Sequence, residues 1–250
     1  MRSETDRCDH EQINEIDGYV ELGMEREAFA LIHATLARKE ISCDQFHTCV
    51  FALLQTEQPA PWKDEVENAY RHLNKPVSDQ VRSAMLNYYW SIGEPKKASL
   101  FFPHRSTKFF DAWTMMQVCL ELGRLDEAKS VARYCRGVLT TAEDNFTKAS
   151  MTDALAAYHL HLGEHEAAIR LWQEAPAEPT FQRQRLTGIV KARLLQAQEA
   201  AKAGLATVAV ERLNADLSIE IQLPGNTTGL MDDAERELKE MQNGIEALIA

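Results

Sequence analysis

The sequence predicts an all-α chain of stacked helical hairpins, and three observations carry that prediction. One spacing recurs: Tyr19…Gly23…Ala28…Ile32, Tyr89…Gly93…Ala98…Phe102, Cys119…Gly123…Ala128…Ala132 and His159…Gly163…Ala168…Trp172, with a weaker copy at Ala200…Gly204…Ala209…Leu213. Residues that interrupt helices are scarce, with 11 glycines and 8 prolines in 250 residues, below the roughly 7% and 5% of ordinary proteins. The net charge of −11 sits at the two ends. Residues 1–50 hold 5 Lys/Arg against 11 Asp/Glu, residues 201–250 hold 4 against 9, and the middle 150 hold 18 of each.

Each copy of the spacing reads as two antiparallel helices. Apolar residues recur at helical intervals before the glycine, as in Met85, Leu86, Tyr89, Trp90 and Ile92, or Met115, Met116, Cys119, Leu120 and Leu122. The glycine falls where the first helix stops and the chain reverses, because it reaches positive φ without a Cβ clash. Acidic residues follow, as in Glu21-Leu-Gly-Met-Glu-Arg-Glu-Ala28 and Glu121-Leu-Gly-Arg-Leu-Asp-Glu-Ala128, and they favour the positive end of the second helix's dipole. The alanine admits close approach of the two helices, and the bulky residue after it fills the shared core. One hairpin cannot bury both of its faces, so neighbours must stack.

In chain order, residues 1–8 are a polar tail, residues 9–215 hold about six hairpins, and residues 216–250 form an irregular segment plus a capping helix. The first hairpin turns at Gly23 and the next recognisable one at Gly93, an interval of 70 residues that leaves room for one degenerate unit. Gln45–Gln55 and Trp62–Leu73 are its two predicted helices, split by Pro59-Ala-Pro61. Intervals of 30, 40 and 41 residues separate Gly93, Gly123, Gly163 and Gly204. Leu217-Ser-Ile-Glu-Ile-Gln-Leu223 alternates apolar and polar residues before Pro224-Gly, the pattern of an extended linker or of an edge that pairs with a peptide strand or a second copy. A final helix is predicted near Met231–Leu248.

The constellation resembles the tetratricopeptide repeat family, whose period is about 34 residues. The resemblance is partial. The family's small residue three positions before the Tyr/Cys/His site is matched by Ala156 and Ala197 but not by Ile16, Leu86 or Met116. It implies a right-handed α-α superhelix whose first helices line a concave groove that receives peptides or partner helices. Aligned on the glycines, that groove would carry Ser83, Asn87, Trp90, Trp113, Gln117, Leu120, Asp153, Ala157, Leu160, Leu194 and Gln198. Tryptophans beside amides are the mixture enriched at interface hot spots. The paired lysines and asparagines with which some family members hold a terminal carboxylate are not reproduced. Only Asn87 fits, and Ile13, Asp17, Trp113 and Asp153 stand where cations or amides would be expected.

No chemical motif competes with this reading. The chain has no glycine-rich nucleotide loop and no Gly-x-Ser-x-Gly elbow, and His165-Glu166 lacks the second histidine of a zinc-protease helix. Three histidine- or cysteine-bearing clusters have metal-like composition. Cys43, His47 and Cys49 diverge around a helix, Cys8 and His10 lie in the polar tail, and His159, His161 and His165 point apart across a predicted turn. No catalytic residue, metal or cofactor is therefore expected. The acidic balance, with a pI near 5.2, argues against nucleic acid. Lys96, Lys97, Arg105, Lys108, Arg124, Lys129, Arg133 and Arg136 form the main cationic concentration, and it is interleaved with acids. No run reaches the roughly 18 apolar residues of a membrane span, and the polar start carries no apolar stretch of a secretory signal. Five scattered cysteines do not make a disulfide framework. These features point to the cytoplasm.

The sequence thus predicts a non-enzymatic, cytoplasmic scaffold or adaptor that binds a protein or peptide segment, with a homodimer as a further possibility. It leaves open two other classes: a helical small-ligand sensor or enzyme with a pocket around His159, His161 and Trp172, and a homo-oligomer assembled through residues 217–223 and the last helix. The acidic ends suit caps that face water and keep copies from stacking end to end.

Overall fold

A computed structural model describes residues 15–56, 59–73, 76–102, 109–205, 207–209, 239–241, 243–245 and 247. The polar tail 1–8, the alternating segment 217–223 and the first half of the predicted last helix lie outside the described residues. Among the described residues the regular structure is entirely helical. The helices are α1 (15–21), α2 (Glu25–Leu36), α3 (Cys43–Leu54), α4 (Lys63–His72), α5 (Asp79–Ser91), α6 (Pro95–Ala98), α7 (Phe109–Glu121), α8 (Leu125–Leu139), α9 (Asn145–His161), α10 (His165–Glu174) and α11 (Pro179–Lys202). Residues 207–209, 239–241, 243–245 and 247 are also helical.

The repeated glycines end helices as their spacing predicts. Gly23, Gly93, Gly123, Gly163 and Gly204 have φ between 66° and 76°, a region that costs other residues about 1–2 kcal/mol. At four of them the hydrogen bonds of the helix terminus are complete. The amide of the residue after the glycine donates to the carbonyl four before it, as in Met24 N to Tyr19 O (2.8 Å), Glu94 N to Tyr89 O (2.8 Å), Glu164 N to His159 O (2.9 Å) and Leu205 N to Ala200 O (2.9 Å). The glycine's own amide donates to the next carbonyl, as in Gly23 N to Val20 O (3.0 Å) and Gly163 N to Leu160 O (3.1 Å), so the recurring Tyr/His/Ala site and the residue after it are the two carbonyls that the turn ties down. Ala28, Ala98, Ala128, Ala168 and Ala209, five residues beyond each glycine, are all buried, the close-approach positions that the spacing assigns to them.

The helices before the turns start with side-chain caps. Ser42 and Gln45 form a reciprocal capping box at α3, Ser78 accepts from Val81 N at α5, and Asp144 accepts from Thr147 N (2.7 Å) at α9. Such caps are each worth about 1 kcal/mol where they are shielded from water. The helices after the turns, α2, α8 and α10, lack such caps and begin directly from the reversal, with acids in their first turns.

The chain divides into two compact units, Met1–Leu122 and Gly123–Ala250. In the first, α3 packs on α2 and α5, and α5 packs on α7. Their core gathers Ile16, Ile32, Leu36, Phe46, Leu53, Val66, Met85 and Leu86, and each such side chain stabilises by roughly 1.5–3 kcal/mol when fully buried. The two helices predicted before Gly93, over 45–55 and 62–73, are α3 and α4. A short 3₁₀ turn, Ala60–Trp62, capped by Pro59 and containing Pro61, leads into α4, and Tyr88 Oη donates to Pro59 O (2.9 Å). The helix after Gly93 stops almost at once, because α6 has only four residues before the 3₁₀ turn Ser99–Phe101. Arg82 of α5 satisfies the carbonyls left over, its Nε and Nη2 donating to Phe102 O (3.1 and 2.7 Å) and Nη2 also to Leu100 O (3.2 Å).

In the second unit, α9 lies against α8, α10 and α11. It is buried on most of its circumference, which explains its run of small and short polar side chains, Thr147, Ala149, Ser150, Thr152, Ala154 and Ala156. Trp172 of α10 is seated among Ala156, Ile169, Ile189 and Ala192. The described part of the last helix packs on α11, with Ile245 fully buried over Leu194 and Ala197, and Met241, Val190 and Ala201 around them.

Candidate functional site

The predicted groove positions divide by what their helices pack against. Ser83, Leu120 and Asp153 are buried, at 1%, 9% and 6% exposed. Asn87, Trp90, Trp113, Gln117, Leu160 and Gln198 are half-buried. The first group lies inside, and the second keeps part of its surface exposed.

In the first unit, Ser83 and Asn87 of α5 meet α7 through a polar cluster. Ser83 Oγ donates to Asp111 Oδ1. Asn87 Nδ2 donates to Ser83 O (2.9 Å) and to Asp111 Oδ1 (3.5 Å), and Asn87 Oδ1 accepts from Thr114 Oγ1. Asp111 and Thr114 are each 2% exposed. A carboxylate taken this far from water is tolerable only when donors surround it, so the cluster fixes the register between α5 and α7. Asn87 uses both ends of its amide here. Sequence alignment on the glycines missed Asp111 and Thr114, which lie 12 and 9 residues before Gly123. The available signal was two short polar residues in the otherwise apolar run Phe109-Phe-Asp-Ala-Trp-Thr-Met-Met116. Trp90 packs half-buried at the edge of the same unit's core, and Trp113 and Gln117 are half-buried on α7.

In the second unit, Asp153 accepts from the indole Nε1 of Trp172 (2.8 Å). Leu194, aligned with the groove by its spacing, lies instead under Ile245 of the chain's own last helix. Leu160 and Gln198 remain half-buried.

The residues of the alternative pocket do not converge. Trp172 is buried with its ring nitrogen on Asp153, and His161 is exposed. His159 pairs with Glu164 across the turn, while the buried His165 has Nδ1 3.5 Å from Glu199. Among the described residues, no three His, Cys, Asp or Glu side chains come together as a metal cage. Cys49 is buried in the first core and His47 lies over Phe51, with ring centroids 4.5 Å apart. Burial pushes the Cys49 and Cys135 thiols up to about 12, so both stay protonated and are poor nucleophiles. No described helix is long and apolar enough to cross a membrane.

An open cleft of about 660 Å³ lies elsewhere in the second unit, between the start of α10 and the end of α11. Its lining includes His165, Glu166, Gln196, Glu199, Leu205 and Val208. Glu166 Oε1 accepts from Arg193 Nη1 (2.9 Å) and Gln196 Nε2 (2.8 Å), which ties α10 to α11 beneath it.

Comparison of the chain with protein-family models, with curated proteins and with solved structures finds no match.

Proposed function

We propose that the chain is a non-enzymatic interaction module, a tetratricopeptide-like right-handed solenoid that holds a peptide or partner-protein segment against the first helices of its hairpins. Support for the solenoid comes from the repeated Gly-and-Ala turn geometry and from packing in chain order, with α2 on α3, α3 on α5 and α5 on α7. The observation that carries the binding role is the half-exposure of Trp90, Trp113 and Gln117 on α5 and α7. Large aromatic surface beside an amide is what hot spots use. Leu160 and Gln198 are the candidate surface of the second unit, whereas Ser83, Asn87, Leu120 and Asp153 are spent inside their own units.

Tagged full-length protein should retain specific partners in pull-down, and Trp90→Ala combined with Trp113→Ala should remove them while leaving the helical circular-dichroism signal in place. Contacts that survive the double substitution unchanged would overturn the reading. Truncating a hot-spot tryptophan typically costs about 2 kcal/mol or more in binding, or roughly thirtyfold in affinity.

A further inference from the structure

The cleft between α10 and α11 has a composition of its own. Of the seven large apolar side chains that stay exposed among the described residues, Leu205 and Val208 line it and Leu162 adjoins Gly163 at its edge. Leu205 is 53% exposed. Ala167, Ala200 and Ala203 extend the apolar wall. Three carboxylates, Glu164, Glu166 and Glu199, stand on the same cleft, and among the described residues Arg170 is the Lys or Arg that lines it.

The carboxylates are not equivalent. Glu166 is paired with the permanently charged Arg193, whereas Glu164 and Glu199 face the imidazoles of His159 and His165; all three keep more than half of their side-chain surface exposed. An apolar wall with a negative rim attracts a ligand that is apolar on one side and cationic on the other. The volume lies within the range of about 300–1,000 Å³ that accepts a few side chains, and the cleft is open along the helix ends, which suits a passing segment more than an enclosed small molecule.

We infer that this cleft is a second docking site, for a protein segment that sets leucine-like side chains between lysines or arginines. The apolar side chains rest on Leu205, Val208 and Ala200, and the cations meet Glu164 and Glu199. The site belongs to the second unit and does not depend on the Trp90 and Trp113 surface.

The test uses the full chain and a fluorescein-labelled Lys-Leu-Lys-Lys-Leu-Lys peptide, read by fluorescence anisotropy at 150 mM salt. Binding is expected, with about tenfold loss in Glu164→Gln plus Glu199→Gln, a similar loss in Leu205→Ser plus Val208→Ser, and no change in Trp90→Ala plus Trp113→Ala. All the cleft positions changed are exposed or lightly packed, and unchanged thermal melting verifies the fold. The inference is overturned by absence of binding, by equal binding of Glu-Leu-Glu-Glu-Leu-Glu or Lys-Ser-Lys-Lys-Ser-Lys, or by insensitivity to the cleft substitutions. Sedimentation as a dimer that Leu205→Ser plus Val208→Ser dissociates would assign the cleft to a second copy instead and would equally overturn it.

Discussion

Trp172 leaves no room for a side chain at Gly188. A Cβ there would stand 2.5 Å from Cζ2 and 2.7 Å from Cη2 of the indole. Gly188 sits inside α11, so its value is space rather than backbone freedom, and it is what lets a tryptophan lie against a neighbouring helix while its Nε1 reaches Asp153. The effect of adding a methyl here has two opposed parts. Alanine improves helix propensity by about 1 kcal/mol, whereas overpacking a fixed ring costs about 1–3 kcal/mol. The net is a loss of up to about 2 kcal/mol, which urea unfolding of Gly188→Ala is expected to show. Gly137→Ala in α8, where a Cβ meets nothing within 4 Å, should gain about 0.5–1 kcal/mol. A stabilised Gly188→Ala would show that Trp172 can withdraw from α11.

At the scale of elements, charge replaces length where α6 is short. Lys97 Nζ reaches Glu67 Oε1 (2.8 Å) of α4 and Glu94 Oε2 (3.1 Å), Lys63 bonds Glu94, and Tyr89 Oη donates to Glu67 Oε1 (3.0 Å). Lys97 also stands 5.2 Å from the Tyr89 ring centroid. Three side chains from α4, α5 and α6, those of Lys63, Tyr89 and Lys97, thus share two carboxylates. The hydrogen bond from Lys97 holds the Glu67 carboxyl below its usual range, and that from Lys63 does the same for Glu94. A carboxyl with a lowered folded-state pKa contributes stability that is present above its unfolded value and is lost as pH falls through the folded one. The urea midpoint is therefore expected to fall as pH drops below about 4.5, the unperturbed glutamate value. The fall should be shallower in Lys97→Met, and identical pH profiles for the two proteins would remove the clasp from the stability of this hairpin. Asp17, raised by its own burial and by Glu21, acts with the opposite sign in both proteins and cancels in the comparison.

At the scale of the molecule, each compact unit carries its own core, Phe46 in one and Ile169 in the other, both essentially inaccessible to water. Deleting a buried side chain of that size costs roughly 2–5 kcal/mol, and where compact units open separately the loss stays in the unit that bears it. Hydrogen exchange should therefore show Phe46→Ala lowering amide protection in α2–α5 and Ile169→Ala lowering it in α9–α11. Uniform loss along the chain in either variant would mean a single cooperative unit.

The helices, their turns and the close-approach alanines are legible in the sequence alone. These are local consequences of φ freedom at five glycines, of capping serines and aspartate, and of apolar spacing, and such terms act over a few residues whatever lies beyond. The degenerate unit before Gly93 was legible for the same reason, because prolines mark its break. Which polar residues on those helices are spent inside depends on long-range packing. Asn87 and Ser83 share a face with Trp90 by spacing, yet they serve Asp111 and Thr114, because hydrogen bonding of a buried carboxylate depends on which helix arrives opposite. Leu194 passed from groove to core when Ile245 came down on it, and Gly188 acquired its role from a tryptophan 16 residues away. Periodicity specifies the face of a helix, and the neighbour that meets the face specifies what its side chains do.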